Sequence, residues 1–441
     1  MALFRSLARH REFMGNVATM MSGRTIAAAV ALFTMPIVAR LFTPEDFGVA
    51  AVFASISGLA ATISSLRYEL AVVLPERESA AQLLLAFTYR VLLCFCLAML
   101  LLIAAYELSD ATIAPLDLLG YWIWLLPLSV LFTGAIAVQE SWLTRQKSFK
   151  AASTALVVGN ASTSAVRIAL GAISGSSVWG LIWGYLLGSF LRCSVQQYAS
   201  GRASNRAIFR RISWRDMRHI ARAYADFPRL NAPAGLIYSL GQNIPILLFG
   251  AMFSPAVVGY YAMAFRLTEV PISIVANSIR KVFLQKSAEI MLRHGSLLRA
   301  FLLTVGGLAL LGVLPALILA FAGKTVLVWL LGERWAIAGS YVGIMAPFLL
   351  MQWIASPTGP VFIVLRRQAA WLQAQAAMTA MKVMAIAAAY LVSADAELTL
   401  KLFIAAAVIG YIGEIGLAIL VISRHVPESE SRGGSGEDLG D

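Results

Sequence analysis

LFTPEDFGVAAVFASISGLAATISSLRYELAVVLP, residues 41–75, reads as a helix exit, a short polar turn, a new helix start and then about 20 largely apolar residues. Thr43 suits an N-cap, Pro44 suits the first helical position, and Glu45 and Asp46 sit where a helix N-terminus favours negative charge. The same pattern returns later: Leu41-Phe42-Thr43-Pro44 with Phe47-Gly48 is echoed by Met252-Phe253-Ser254-Pro255 with Val258-Gly259. Phe42 to Phe253 and Gly48 to Gly259 are each 211 positions apart (253 − 42 and 259 − 48). Two such periods nearly fill 441 residues and predict two similar halves followed by a polar tail.

Composition places both halves in a membrane. Hydrophobic residues make up 59% of the chain and charged residues 13%, against roughly 45–50% and about 25% in soluble domains. The mean hydropathy is +0.77. Cys94, Cys96 and Cys193 all lie in apolar runs, which indicates neither a disulfide framework nor a metal knuckle. The first apolar run follows a basic N-terminus but is too long for a signal peptide, carries Arg24 and lacks a small-residue cleavage site.

Twelve spans follow, at approximately 16–41, 45–74, 79–106, 117–142, 150–173, 177–199, 230–252, 255–285, 297–322, 339–364, 369–393 and 398–423. The connecting segments alternate in charge. Arg5, Arg9 and Arg11 precede the first span, Arg77 follows the second, and Arg145, Lys147 and Lys150 follow the fourth. Eight arginines from Arg202 to Arg229 separate the halves; Arg280, Lys281, Lys286, Arg293, Arg366, Arg367, Arg424 and Arg432 continue the series. On the opposite side only Lys324 and Arg334 fall clearly in a loop, so the positive-inside rule puts both termini and the linker in the cytoplasm. The net charge of +12 is therefore mainly topogenic, and nucleic acid is not an expected partner. The predicted organisation is an N-terminal six-helix bundle (1–200), a basic linker (201–229), a C-terminal six-helix bundle (230–424) and a tail (425–441).

Within the linker, Ser213-Trp214-Arg215-Asp216 has a capping-box pattern, and Met217, Ile220, Ala221 and Tyr224 recur at helical spacing opposite Arg215, Arg218 and Arg222. This predicts either an amphipathic helix on the inner leaflet or a solvated connector. Gly180, Gly184 and Gly188 predict close helix packing in span six. Pro36, Pro127, Pro245, Pro271, Pro315, Pro347, Pro357 and Pro360 lie inside spans, where kinks suit a rocking protein but are also common in membrane helices generally.

Ionisable residues at membrane depth carry the functional signal, because they are costly there and must face protein or water. Arg24 lies about 12 Å into its span, Arg90 and Arg266 about 15 Å into theirs, Arg167 sits in the outer part of span five, and Lys382 falls near the middle of span eleven. Only Glu140, Glu269 and Glu414 are acids within spans, and Glu269 is placed to neutralise Arg266 one turn away. The surplus of arginines points to an anion cavity, phosphate suiting the guanidinium fork; the alternative is that each bonds a carbonyl or snorkels. Gln242 and Asn243 are candidate donors to sugar hydroxyls, or bond a neighbouring helix; Glu269 and Glu414 are candidates for ion coupling. Catalytic constellations are nearly absent: His10, His219, His294 and His425 lack ligand spacing, and no phosphate-binding glycine loop occurs, so neither a metal nor a cofactor is expected. Glu45-Asp46 is an acidic pair in an outer loop, but capping already explains it and the second copy has Ala256-Val257 there.

Arg40-Leu41-Phe42-Thr43-Pro44-Glu45-Asp46-Phe47-Gly48 with Leu66-Arg67-Tyr68-Glu69-Leu70-Ala71 resembles the Wzx-type polysaccharide-biosynthesis flippases. So do Trp142-Leu143-x-Arg145-x-Lys147-x-Phe149, and Gln242-Asn243-x-Pro245 leading into Phe253-Ser254-Pro255 and Gly259-Tyr260-Tyr261. The resemblance covers the chain up to His425 and extends to a wider superfamily of multidrug exporters and the lipid II flippase. It implies an all-α integral membrane protein with a V-shaped pair of six-helix bundles and a cationic cavity. It also implies a non-enzymatic flippase for undecaprenyl-pyrophosphate-linked oligosaccharide in the bacterial inner membrane, working beside a polymerase and chain-length partners. A multidrug or cation exporter of the same fold remains open, as does a membrane glycosyltransferase or polymerase, which the short outer loops disfavour.

Overall fold

A computed structural model describes residues 2–109, 112–175, 177–201, 212–292 and 295–424. The expected tail and linker residues 202–211 lie outside them. The described residues form helices and turns, with no strand. In the first half these are α1 (Ala2–Leu41), α2 (Pro44–Ile63), α3 (Glu78–Glu107), α4 (Leu126–Arg145), α5 (Phe149–Ser174) and α6 (Val178–Ala199). The linker contributes α7 (Trp214–Ala223). The second half contains α8 (Ala232–Met252), α9 (Pro255–Leu292), α10 (Leu297–Leu331), α11 (Ala336–Ile354), α12 (Thr358–Val364), α13 (Gln368–Ser393) and α14 (Ala396–Ser423). Eleven described stretches are long and apolar enough to cross a membrane. The twelfth expected span is the 38-residue α9, whose apolar run is diluted by Arg266, Glu269, Arg280 and Lys281.

The start of α2 forms as its sequence dictates. The Thr43 hydroxyl accepts from the Asp46 amide at 3.2 Å while the Asp46 carboxylate accepts from the Thr43 amide at 2.9 Å, a reciprocal capping box with Pro44 in the first turn. Span two stops earlier than its hydropathy suggests. Leu66 (φ 50°) and Arg67 (φ 64°) turn left-handed after Ile63, and Tyr68–Val73 continues as a 3-10 segment. Span four likewise begins as a 3-10 segment, Gly120–Leu125, so Pro127 lies in the first turn of α4 and is no internal kink. Span ten is broken at Ala355–Pro357 between α11 and α12, where Pro357 and Pro360 lack the N–H that would continue the helical ladder.

Two compact units result: residues 1–263 with 330–335, and residues 264–329 with 336 onward. The first takes in α8 and the opening turns of α9 along with α1–α6. Within it the two copies of the repeated motif meet. A Cβ on Gly48 would overlap the Pro255 carbonyl, and one on Gly259 would overlap the Pro44 carbonyl. The N-terminal turns of α2 and α9, 211 residues apart, thus cross reciprocally at backbone contact. Trp335, fully buried, closes the crossing: its indole donates to the Ala39 carbonyl at 2.9 Å and meets Phe47 and Tyr260 edge-on. Elsewhere α5 packs along α1 and α6, with Gly188 against Thr163, Gly184 against Arg167 and Gly180 against the Phe42 ring, as the glycine run predicts. The repeat also shows in two helix ends. Lys147 (φ 56°) and Arg366 (φ 54°) close the same turn, with Ser148 to Leu143 at 2.9 Å and Arg367 to Phe362 at 2.8 Å.

Candidate functional site

In the first unit the span-buried polar residues form a chain rather than isolated points. Ser57 of α2 and Ser129 of α4 share a 2.5 Å hydrogen bond, and the Tyr185 hydroxyl of α6 bonds both. Arg167 and Arg192 lie within electrostatic range of that phenol. Arg167 donates from Nε to the Leu181 carbonyl at 3.4 Å, while Arg192 pairs with Glu140 across α6 and α4. Glu140 is thereby committed to Arg192. Arg90, half-buried on α3, donates to the Ala86 carbonyl one turn back at 3.4 Å. Arg24 is exposed on α1, beside the Gly23–Ser153 crossing with α5. On α8, Gln242 is exposed, whereas Asn243 donates to the Ser239 carbonyl of its own helix at 2.9 Å. Thr62 of α2 reaches the Ser239 hydroxyl at 3.3 Å, so this polar seam joins α2 to α8.

At one end of these helices the left-handed Leu66-Arg67 turn folds a charged knot. Glu69, only 3% exposed, accepts from the Ser65 hydroxyl and faces Arg67 at 3.4 Å. The Arg67 guanidinium lies against Gly235, where a Cβ would collide with it. Arg145 anchors the segment that follows: its Nη1 donates to the Pro75 carbonyl at 2.6 Å and the Val73 carbonyl at 3.2 Å, and its Nε faces Glu78 at 3.5 Å. Sequence reading treats Arg145 as a topology signal; its capture of non-helical carbonyls depends on a turn that hydropathy does not reveal.

The second unit contains a different centre. Glu414 of α14, 5% exposed, accepts from the Thr358 hydroxyl (2.5 Å), the Trp371 indole (3.0 Å) and the Gln375 amide (3.2 Å). Lys382 of α13, 8% exposed, holds its ammonium over Phe348 of α11 (5.8 Å to the centroid) and Tyr411 of α14 (5.6 Å). Three fixed donors satisfy the carboxylate and two aromatic faces shelter the cation. Lys382 is visible in the sequence as a deep cation, but its cage draws on helices far apart in the chain. Arg266 is exposed on α9, and Glu269 is half-buried one turn on. They form no ion pair with each other, so Glu269 does not neutralise Arg266 as its spacing suggests. Among the described residues, no group of three or more His, Cys, Asp or Glu is placed to hold a metal.

Residues 37–339 match the family model described as "Polysaccharide biosynthesis protein". No curated protein sequence matches the chain. Among solved structures, the lipid II flippase MurJ in an inward closed conformation aligns over 93% of this chain and 88% of its own, with a TM-score of 0.71 and 12% identity. An inward-facing multidrug resistance MATE family transporter of the MOP superfamily aligns over 91% and 94%, with a TM-score of 0.68 and 13% identity. A MOP superfamily transporter from Pyrococcus furiosus aligns over 92% and 94%, with a TM-score of 0.52 and 15% identity. At these identities the likeness is one of fold.

Proposed function

This chain belongs to the polysaccharide biosynthesis protein family, and from that premise we propose that it is a flippase. Its cargo on this reading is an undecaprenyl-pyrophosphate-linked oligosaccharide repeat unit, destined for O-antigen, capsule or exopolysaccharide and moved from the inner to the outer leaflet of the bacterial inner membrane. The observation that carries the reading is Arg24, exposed within a spanning helix of the first unit and joined to no acid among the described residues; in the second unit Arg266 is likewise exposed and in no ion pair among the described residues. A guanidinium left facing outward at membrane depth is costly unless it faces water or an anion, and pyrophosphate matches its paired donors. Arg90 and Arg167 extend the cationic set, Gln242 offers its exposed amide to sugar hydroxyls, and Asn243 lines the same helix. The repeats, 1–200 and 230–424, supply the bodies that alternate, α8 and the first turns of α9 belonging to the compact unit of the first, with both termini and the linker cytoplasmic and a polymerase and chain-length regulator as partners. Glu414 with Lys382, and Glu269, are the groups through which an ion gradient would act. No covalent step is involved.

A multidrug or cation exporter is the rival, and Glu414 is the residue that favours it. Its carboxylate already accepts from Thr358, Trp371 and Gln375, which leaves it little capacity for a cationic drug. The deciding experiment measures the sidedness of lipid-linked oligosaccharide in cells lacking the protein, then in cells restored with wild type or Arg24→Ala. Accumulation on the cytoplasmic leaflet, relieved by wild type alone, supports flipping with Arg24 in the path. Arg24→Ala should change the unfolding free energy by less than about 0.5 kcal/mol, because the side chain is exposed and forms no ion pair among the described residues. Normal outer-leaflet exposure without the protein, in a strain with no second flippase, would end the proposal.

A further inference from the structure

The helix α7 is joined to the first unit by one face only. Ile220 is buried, and Met217, Ala221, Tyr224 and Phe227 pack with it against the cluster containing Tyr68 and Phe87. The Tyr68 hydroxyl reaches the Ala221 carbonyl at 3.5 Å. Arg215, Arg218 and Arg222 are all exposed, and at about 100° per residue they fall within a single arc of the opposite side. None forms an ion pair among the described residues. Asp216, the one acid on the helix, is occupied by its cap: its carboxylate accepts from the Ser213 hydroxyl at 2.8 Å and its amide donates back at 3.1 Å. Among the described residues the basic arc is therefore uncompensated.

Two further features say what covers it. Trp214 is 76% exposed and lies at the boundary between the apolar and basic faces, the position an interfacial anchor takes. The segment on which α7 packs also presents Leu70, Val73 and Leu74 outward, a row of exposed apolar side chains that water would penalise and a bilayer would cover. An acidic soluble protein would satisfy the arginines and leave that row wet; the headgroup region of a membrane satisfies both. We infer that α7 is a docking surface for anionic phospholipid headgroups, clamping the Arg67–Glu69 turn to the leaflet at that end of the spans.

Each arginine near an anionic surface strengthens binding about fivefold, so three together give roughly 100-fold, falling as salt shortens the Debye length below about 8 Å. The test uses the full chain in vesicles of phosphatidylcholine alone or with about a quarter phosphatidylglycerol. The exposed Ala223 is replaced by Cys and carries a fluorophore, with Cys94, Cys96 and Cys193 first changed to Ser. Quenching by a headgroup-bound nitroxide is compared with quenching by aqueous iodide. In anionic vesicles the nitroxide should dominate, and high salt or Arg215→Gln/Arg218→Gln/Arg222→Gln should shift quenching to iodide. The corresponding triple Lys variant should behave as wild type, and an unchanged melting temperature confirms that the Gln variant is folded. Equal quenching in both vesicle types at low salt, or a Gln variant indistinguishable from wild type, overturns the inference. Iodide dominance in anionic vesicles overturns it too and points to an acidic protein partner.

Discussion

Replacing Gly48 or Gly259 with Ala tests whether the two copies of the repeat are built to touch. At Gly48 the added methyl would lie on the Pro255 carbonyl oxygen, 2.7 Å from its carbon and 3.1 Å from the Pro255 Cα. At Gly259 it would meet the Pro44 carbonyl the same way, and the Gly48 nitrogen at 3.1 Å. These obstacles are backbone, so no side-chain rotation relieves them, and the first turns of α2 and α9 must move apart. Overpacking of this kind costs about 1–3 kcal/mol. With an unfolding entropy of about 2 cal/mol/K per residue, a chain of this length loses on the order of 1 °C per kcal/mol, so each variant should melt about 1–3 °C lower in detergent. One separation of the helices accommodates both methyls, so the double variant should cost less than the sum. Gly58, also on α2, has nothing within 4 Å of its Cβ position, and Gly58→Ala should stabilise by about 0.5–1 kcal/mol. Thermal unfolding followed by fluorescence-detected size exclusion reads all four. If Gly48→Ala and Gly259→Ala melt with wild type, or their losses simply add, the reciprocal contact is not what holds these turns.

Two other side-chain centres make separate predictions. Glu414→Gln should weaken the bonds from Thr358, Trp371 and Gln375 and leave the Lys382 ammonium with one opposing charge fewer, costing about 1–3 kcal/mol, while Glu414→Gln/Lys382→Met should recover part of that loss; a double variant no more stable than the single would show that the two charges do not compensate each other in the folded protein. Arg145→Lys keeps the charge but cannot span the Pro75 and Val73 carbonyls together with Glu78, so it should lose about 1–3 kcal/mol by thermal unfolding, and proteolysis should speed up first between residues 73 and 78; a Lys variant as resistant as wild type would reduce Arg145 to a topology signal.

What the sequence discloses and what it withholds divide along a physical line. Thr43, Pro44 and Asp46 specify their helix start through bonds made within four residues, so the cap and its second copy could be read directly. The spacing of Gly180, Gly184 and Gly188 announces close packing because a helix repeats its faces locally. Turn chemistry was less visible where left-handed residues are Leu66, Arg67, Lys147 and Arg366, types that carry no turn signal of their own. Tertiary contacts impose those conformations. The same is true of the Lys382 cage: a cation deep in span eleven is evident, but Phe348, Tyr411 and Glu414 become its surroundings only when three helices are assembled. Glu269 shows the converse, since helical spacing places it near Arg266 without making a bond.

The distribution of bonds among the arginines bears on how a carrier could release what it binds. Tight capture is useless to a flippase, because an anion held by several unopposed guanidiniums would remain in the membrane. Arg90 and Arg167 each donate to a main-chain carbonyl at 3.4 Å, near the long limit of a hydrogen bond. Exchanging such a bond for one to a pyrophosphate oxygen gains little more than the difference between a neutral and a charged acceptor, about 1–2 kcal/mol. Arg24, by contrast, is exposed and forms no ion pair among the described residues, so it gains a charge-assisted bond outright. On the proposed reading, capture in the first unit falls mainly to Arg24, while Arg90 and Arg167 each keep a main-chain carbonyl to return to as the cargo leaves. Such a division keeps the site cationic enough to draw the headgroup from the leaflet and weak enough to let it go.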